Sequence, residues 1–201
     1  GLRRRAAAAP ARPRRAHAAG GPAAPAAVRA VGVHVHRVLH RVLHRILGKQ
    51  FRQRDAIRLL AAAGADLNAL EYQQYDPVTI AVVADDEDTL ALLLQLGASA
   101  KNITSPYEGT ALIAAAHLGH AGVVRQLIAA GAPLDHVNNL HWTATIEAVV
   151  LGNGGSRHQA TLKALIDAGA NTKLTDREGR TPLQLAHARG YGAMVKMLES
   201  A

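Results

Sequence analysis

Histidines recur at every fourth position near the start of the sequence, in three copies of a His-Arg-aliphatic-Leu unit. His36, His40 and His44 would lie one turn apart on a helix, so their imidazoles could form a metal-binding stripe. The same helix would be basic and amphipathic, and could lie on an anionic membrane. The simpler interpretation is a capping helix over residues 36–47, because no carboxylate or carbonyl partner follows to orient the imidazoles. We therefore predict no metal site and no cofactor.

Four consecutive acidic residues, at positions 85–88, also invite a metal interpretation. Calcium is unfavoured, because the spacing and the glycine of an EF-hand loop are absent. The acids lie directly before an apolar helical pattern over Thr89 to Leu96, where carboxylates cap a helix and oppose its dipole. The pattern therefore predicts helix capping rather than calcium binding.

Other polar residues that could do chemistry have structural interpretations of the same kind. His117 and His120 lie three apart and could be read as metal ligands, but the family resemblance described below implies a structural role for His120, at a Gly-His position where the imidazole makes structural hydrogen bonds. Residues 151–158, LGNGGSRH, could form an anion-binding nest with Arg157, but lack a phosphate-loop lysine and favour an extended loop. Glu147 lies within an apolar helical pattern, which places it at a groove edge rather than in a general-acid role. The sequence contains no Gly-x-Ser-x-Gly or His-Glu-x-x-His motif, so we predict that the protein is not an enzyme.

The element that must position these residues is a pair of short helices over Gly109 to Ala132. The first helix is rich in alanine, so another helix can approach it closely. The second carries Val123, Val124, Leu127 and Ile128 on one face. Neither helix is long enough to be stable alone in water. The pair must therefore stack on copies of itself.

Copies of this pair are present. A Gly-Ala dipeptide that ends a helical pattern recurs at Gly64, Gly97, Gly131 and Gly169, in steps of 33, 34 and 38 residues. The stretches GTALIAAAHLGHAGVVRQLIAAGA and GRTPLQLAHARGYGAMVKMLE resemble the ankyrin repeat pattern at most positions. The longer fourth unit, from His136 to Asn171, resembles a bacterial variant of that family.

The resemblance covers residues 48–201 and implies an all-α repeat solenoid. We expect an ankyrin stack of about five helix-turn-helix units with β-hairpin fingers. The first unit is irregular: its first helix, near Gly48, departs from the pattern, whereas its second, Asp55 to Ala63, follows it. The fourth unit contains the loop at residues 151–158, and the last is a capping unit.

Charge separates the two parts of the chain. Residues 1–54 hold 13 basic residues and no acidic ones, whereas residues 55–201 hold 10 basic and 15 acidic residues. Residues 1–30 are built mainly from Ala, Arg, Pro and Gly, and we predict that residues 1–47 form a disordered or low-complexity basic segment. A transit peptide, a secretory signal and a nucleic-acid-binding arm are alternatives, as is a misassigned translation start. The compartment stays open between cytoplasm and periplasm.

The resemblance implies that the segments between repeats form fingers, which line a concave wall with the first helix of each unit. Aromatic residues are scarce in the chain, yet four of the six fall in these fingers. We predict a protein-binding surface, because Tyr, Trp and Arg carry much of the energy of interfaces; its residues are Tyr72, Tyr75, Tyr107, Trp142 and Arg180. The alternative is that Trp142 and Tyr107 stack on each other for stability.

The function predicted from these features is non-catalytic binding of a partner protein, with no small-molecule substrate. One alternative is a nucleic-acid or membrane tether through the basic tail, with the repeats as passenger. Another is a stabilising partner of a single enzyme.

Overall fold

The computed structural model describes residues 50–71 and 74–201, which form a stack of short antiparallel helix pairs. Four pairs follow a leading helix, and in each pair an inner helix precedes an outer one. In chain order the elements are α1 (Gln50–Ala62), α2 (Pro77–Val83), α3 (Glu87–Gln95), β1 (Ile103–Thr104), β2 (Gly109–Thr110), α4 (Ala111–Leu118), α5 (Ala121–Ala129), α6 (Ala144–Val150), α7 (Ser156–Asp167), α8 (Pro182–Ala188) and α9 (Gly192–Glu199). The predicted helical repeat solenoid is confirmed.

Each inner helix begins at a residue whose side chain caps it. Asp76, Thr110, Thr143 and Thr181 each accept a hydrogen bond from the backbone N–H three residues later. Such a bond satisfies one of the donors that the first turn of a helix leaves free. The recurrent Thr or Asp at this position therefore fixes where each inner helix starts.

The recurrent Gly-Ala fixes where the outer helices end. Gly97, Gly131 and Gly169 have φ values of 94°, 79° and 86°, in the left-handed region that glycine adopts without strain. The N–H of the alanine after each glycine donates to the carbonyl five residues earlier, as for Ala132 and Leu127 at 3.0 Å. This arrangement is a Schellman motif.

Inner helices stack on inner helices and outer on outer, with the core between the two rows. Leu112, Leu127, Ile146 and Leu165 are fully buried there. Small residues on α4, such as Ala115 and Ala116, are also fully buried, which allows the neighbouring helices to approach closely. Burial between repeats stabilises helices that are individually too short to be stable.

The first unit differs from the prediction. The expected second helix, Asp55 to Ala63, lies within α1 except for its last residue, since α1 begins at Gln50 and ends at Ala62. Gln50, near which a separate first helix was expected, therefore belongs to the same helix. The helix lies against α3, where Arg54 donates to Asp88 at 2.7 Å. The predicted basic segment, the capping helix and the histidine stripe lie outside the described residues.

A finger precedes each inner helix. The described part of the first finger consists of Glu71, Gln74 and Tyr75, and the later fingers are formed by residues 105–109, 138–142 and 176–180. The residue before the last in each finger has a positive φ: Gln74 65°, Glu108 55°, His141 63° and Gly179 75°. This left-handed residue turns the chain back toward the helix. Within the described residues only the second finger continues a β-ladder, in which β1 pairs with β2 in antiparallel register.

Backbone hydrogen bonds join neighbouring fingers side by side. The N–H of Ser105 donates to the carbonyl of Gln74 at 2.9 Å, and that of Asn139 donates to Tyr107 at 3.0 Å. The guanidinium of Arg177 donates to the carbonyl of Asn139 at 2.7 Å. The fingers thus form one continuous wall.

A candidate binding groove between the fingers and the inner helices

A groove of about 590 Å³ lies between the first three fingers and the inner helices α2, α4 and α6. Its lining is mainly apolar, with a few polar side chains at its floor. The apolar walls include Tyr75, Val83, Tyr107, Ile113, Leu140, Trp142 and Leu151, and the polar groups include Thr79, Thr104, Thr110, His117, Asn138 and Glu147. Largely apolar concave surfaces with a few polar groups are typical of binding sites.

Several large apolar side chains in this lining are exposed to solvent. Val83, Tyr107, Leu140 and Leu151 are 53, 57, 37 and 42% exposed. They come from two fingers and from the carboxyl ends of two inner helices, so the stacking of repeats brings them together. Contiguous exposed apolar surface marks interaction sites more often than scattered single residues do.

The five predicted binding residues do not all lie in the groove. Tyr75, Tyr107 and Trp142 all line the groove. Trp142 is half-buried and packs against the core of the last two repeats. Tyr72 lies outside the described residues. Arg180 is in the fourth finger, beyond the residues that line the groove.

Asn138, the first residue of the third finger, holds that finger in shape. Its Oδ1 accepts hydrogen bonds from the N–H groups of Leu140 and Trp142, both at 3.0 Å. Ser105 and Asp176 do the same in their own fingers, through Oγ and Oδ1. Because its oxygen is used in the turn, Asn138 directs its amide N–H toward the groove floor, where it donates to Oε1 of Glu147 at 2.9 Å.

Glu147 is the acidic group at the floor of the groove. It is the fourth residue after the capping Thr143, a position where the other repeats carry Ile80, Ala114 and Leu185. The side chain of Glu147 is buried, with 5% of the residue exposed. Burial raises the pKa of Glu147 to about 7, because it disfavours the charged form, and the hydrogen bond from Asn138 offsets only part of that rise.

His117 faces Glu147 from the adjacent inner helix, with 3.5 Å between Nδ1 and Oε2. Burial lowers the pKa of His117, and the nearby His158 lowers it further. An imidazole with a lowered pKa is neutral at pH 7, so this contact is not an ion pair in the free protein. At pH 7 His117 is therefore neutral and Glu147 is only partly ionised. A cation that approaches Glu147 would lower its pKa and favour loss of its proton.

In the fourth finger the position of Asn138 is taken by a carboxyl, Asp176, which pairs with Arg180. Oδ2 accepts from Nε of Arg180 at 2.8 Å, and a second guanidinium nitrogen lies 2.6 Å away. Burial alone would raise the pKa of Asp176, but the hydrogen bonds and charge of Arg180 lower it below its ordinary value. Arg180 also donates to Glu178 at 3.0 Å. The guanidinium therefore organises its own finger.

The remaining polar features lie on the outer side of the stack and have structural contacts. Asp86 caps α3, accepting from the N–H and hydroxyl of Thr89, which confirms the predicted capping. Nδ1 of His120 lies 2.9 Å from the carbonyl of Val82, so the structural interpretation of His120 is also confirmed. Arg157, after the extended loop, donates to Asp85 at 2.9 Å.

No helix among the described residues is long and apolar enough to cross a membrane. In residues 50–71 and 74–201 no group of three or more His, Cys, Asp or Glu side chains is placed to hold a metal ion.

Known proteins share the repeats that build this groove. The family model for ankyrin repeats, in three copies, matches residues 78–176. A putative ankyrin repeat protein of Escherichia coli K12 is 32% identical over 156 residues, which cover 77% of each chain. The chain belongs to the ankyrin repeat family. The predicted resemblance is thus confirmed.

Solved structures agree with this assignment. A crystal structure of an ankyrin repeat domain from Acinetobacter baumannii AYE matches with a TM-score of 0.70 and 37% identity, covering 85% of this chain and 96% of that one. Human ankyrin repeat and SOCS box protein 16 is 31% identical over 149 residues, but the match covers only 33% of its length. Ankyrin repeats are generally protein–protein interaction modules, and the family is generally non-enzymatic.

Sequence reasoning missed part of this ankyrin groove. Val83, Leu140 and Leu151 were not predicted to contribute, although each ends an inner helix or lies in a finger. The sequence feature that could have identified them is an apolar residue at a helix end or in a turn, where the fold does not require a buried side chain. The contact between Glu147 and Asn138 has no signal in the spacing, because it joins a finger to a helix nine residues away.

Proposed function

We propose that this ankyrin repeat protein binds a partner protein in the groove between its fingers and inner helices, without catalysis. The observation that carries the proposal is the convergence of four exposed apolar side chains on one concave surface. The contact residues are Tyr75, Tyr107 and Trp142. Tyr72 and Arg180 remain predictions as contacts at the edges of that surface.

Tyr107 and Ile103 form a matched pair for testing the proposal. Tyr107 lies in the second finger and Ile103 in β1, the strand that leads into that finger; they are 57 and 56% exposed, but of the two only Tyr107 lines the groove. Substituting either residue with alanine removes little buried surface, so we expect thermal midpoints within about 2 °C of the parent chain. A loss of binding specific to one of them therefore reports on the side of the finger that the partner occupies.

The experiment is a pull-down from extract of the source cell with the full chain, with Tyr107→Ala and with Ile103→Ala. We expect one discrete protein to be retained by the parent chain and by Ile103→Ala, and to be lost or at least tenfold depleted with Tyr107→Ala, because aromatic anchors carry interface energy. Equal retention by all three chains would contradict the proposal.

The dependence of binding on salt distinguishes a partner held in the groove from a ligand held by the basic tail. Retention through apolar contacts should change little between low and raised salt, whereas a tail that binds phosphates would lose its ligand steeply. A partner released by salt and retained equally by all three chains would favour the tether alternative. A retained enzyme whose thermal midpoint rises with the concentration of this protein would favour the stabilising role.

A further inference from the structure

The floor of the groove carries a buried acid that the fold does not need. The other repeats place Ile80, Ala114 and Leu185 at the position of Glu147, and each of these residues also lies in an inner helix. A buried carboxyl costs free energy relative to a packed apolar side chain. Glu147 therefore lowers the stability of the stack unless a ligand uses it.

One oxygen of this acid remains available to a ligand. Oε1 of Glu147 accepts from Asn138, whereas Oε2 accepts no hydrogen bond from the residues that the structure describes. Nδ1 of His117 lies 3.5 Å from Oε2, at the limit of hydrogen-bond distance. Because both residues line the groove, a side chain entering it can reach Oε2.

We infer that the groove accepts a lysine or arginine side chain of the partner protein, whose cationic head binds Oε2 of Glu147. This inference rests on the proposed function and specifies what the partner presents. The apolar walls suit the stem of such a side chain, since long basic residues bury their methylene groups against apolar surface. Tyr107 and Trp142 add aromatic rings that attract a cation.

The charges around Glu147 favour a cation over an anion. His117 faces it from α4, and from α7 the ring of His158 bonds to the carbonyl of His117 at 2.9 Å. From α8, the other helix packed on α6, the titratable residue His187 lies 3.9 Å from Glu199 instead. Asn138 in the finger is uncharged. An acidic ligand would meet the carboxyl of Glu147, whereas a basic one would satisfy it.

Binding of a cation should release a proton near neutral pH. In the free protein the pKa of Glu147 is about 7, so about half of these carboxyls are protonated at that pH. A bound cation favours the charged form and lowers this pKa, so affinity rises with pH from 6 to 8. The ionised fraction of the free carboxyl rises about tenfold over that interval, which sets the largest expected change in affinity.

The test uses phage-displayed random linear peptides, selected at pH 8 on the full chain and on the full-length Glu147→Gln variant. Glutamine keeps the size of the side chain and an acceptor for Asn138. We expect the parent chain to select peptides with lysine or arginine beside apolar residues, and the variant to lose that basic preference while retaining the apolar one.

A selected peptide is then measured by calorimetry at pH 6 and pH 8. We expect binding to the parent chain to be up to about tenfold tighter at pH 8, and binding to Glu147→Gln to be weaker by about tenfold at pH 8 and independent of pH. Replacing the basic residue of the peptide with methionine should reproduce both effects. Equal basic content in the two selections, or affinity that does not change with pH, would overturn the inference.

Tyr107→Ala distinguishes this inference from the proposed function. Selected peptides that lose affinity with Tyr107→Ala but carry no basic residue would overturn the inference and leave the groove as the binding surface. A selection that yields no peptide sensitive to Tyr107→Ala would count against both.

Discussion

Glu147 and Asp176 are buried carboxyls from consecutive repeats, and their surroundings set opposite charge states. Asp176 lies in a finger with an arginine partner and has a lowered pKa, so it is ionised at neutral pH. Glu147 lies on a helix among apolar side chains, with one amide donor and a neutral imidazole. Burial alone therefore does not decide the charge of a carboxyl: a guanidinium within hydrogen-bond distance keeps Asp176 ionised, whereas Glu147 has no such partner among the described residues and its pKa is about 7.

Asn138, which donates to Glu147, and Asp176 occupy the same position in consecutive fingers. Asn138 and Asp176 hold their turns with the same pair of backbone hydrogen bonds. They differ in the polar atom that is not used in the turn: Nδ2 of Asn138 donates a hydrogen bond, whereas Oδ2 of Asp176 accepts one. An amide is required in the third finger because its neighbour is a carboxyl, and a carboxylate suits the fourth because its neighbour is a guanidinium.

Asn138→Asp should lower the stability of the fold more than any other substitution considered in these repeats. The variant replaces the donor to Glu147 with a second carboxylate at about the same distance, so a buried charge loses its partner. We expect a loss of about 4 kcal/mol in the free energy of unfolding at pH 8, the typical cost of breaking a buried polar pair. The loss should be smaller at pH 5, where Glu147 is protonated and can donate. Urea denaturation at the two pH values measures both.

Asn138→Ser is the control for that variant. Ser105 holds the same turn in the second finger through its hydroxyl, so serine should preserve the third finger while removing the donor to Glu147. We expect the free energy of unfolding of Asn138→Ser at pH 8 to lie between those of the parent chain and of Asn138→Asp. An aspartate variant as stable as the serine variant at pH 8 would show that the two carboxyls do not interact.

Glu147→Gln should remove the pH dependence that the groove floor imposes. A carboxyl whose pKa rises from 4.5 in the unfolded chain to about 7 in the folded one binds more protons when folded. Its contribution to stability is therefore full below pH 4.5, falls as pH rises, and is lost by about pH 7. We expect the variant to gain up to roughly 3 kcal/mol over the parent chain between pH 4.5 and pH 8. Thermal unfolding across this range measures the gain, and parallel curves for the two proteins would contradict it.

Asp176→Asn should have the smallest effect and the opposite dependence on pH. Asparagine keeps the turn but loses the charged contact with Arg180, which is largely exposed. We expect a thermal midpoint about 2 °C lower at pH 7, since solvent around the exposed guanidinium screens its attraction to the carboxylate. The lowered pKa of Asp176 stabilises the fold above its ordinary value of 3.8, and this contribution is lost as pH falls through the folded pKa. The two midpoints should therefore converge in acid; a difference that persists there would contradict the role of charge.

The periodic features of the fold were predictable from the sequence, because they depend on local chemistry. Glycines at 97, 131 and 169 mark the helix ends because they occupy left-handed positions. The acidic run at the start of α3 was predicted to cap that helix, which was possible because a cap acts within one turn. The start of α1 was not predicted, since its first turn lacks the repeat pattern although the helix continues through it.

The groove was predictable only in part. Tyr75, Tyr107 and Trp142 were expected to share a surface because the fingers repeat at regular spacing, and all three line it. Glu147 was correctly singled out from its apolar surroundings, but it was expected at a groove edge and lies buried at the floor. Its contacts with Asn138 and His117 depend on how neighbouring repeats stack, and no local sequence pattern determines the distances from Glu147 to those two side chains.

The most direct test of the account is a carbon-13 NMR titration of the side-chain carboxyls of Glu147 and Asp176 in one sample of the full chain. Each signal is assigned from the corresponding Gln or Asn variant. We predict a midpoint near pH 7 for Glu147 and one below 3.8 for Asp176. A midpoint for Glu147 near 4.5, the ordinary value, would show that the floor of the groove is an ordinary solvated acid and would contradict the account.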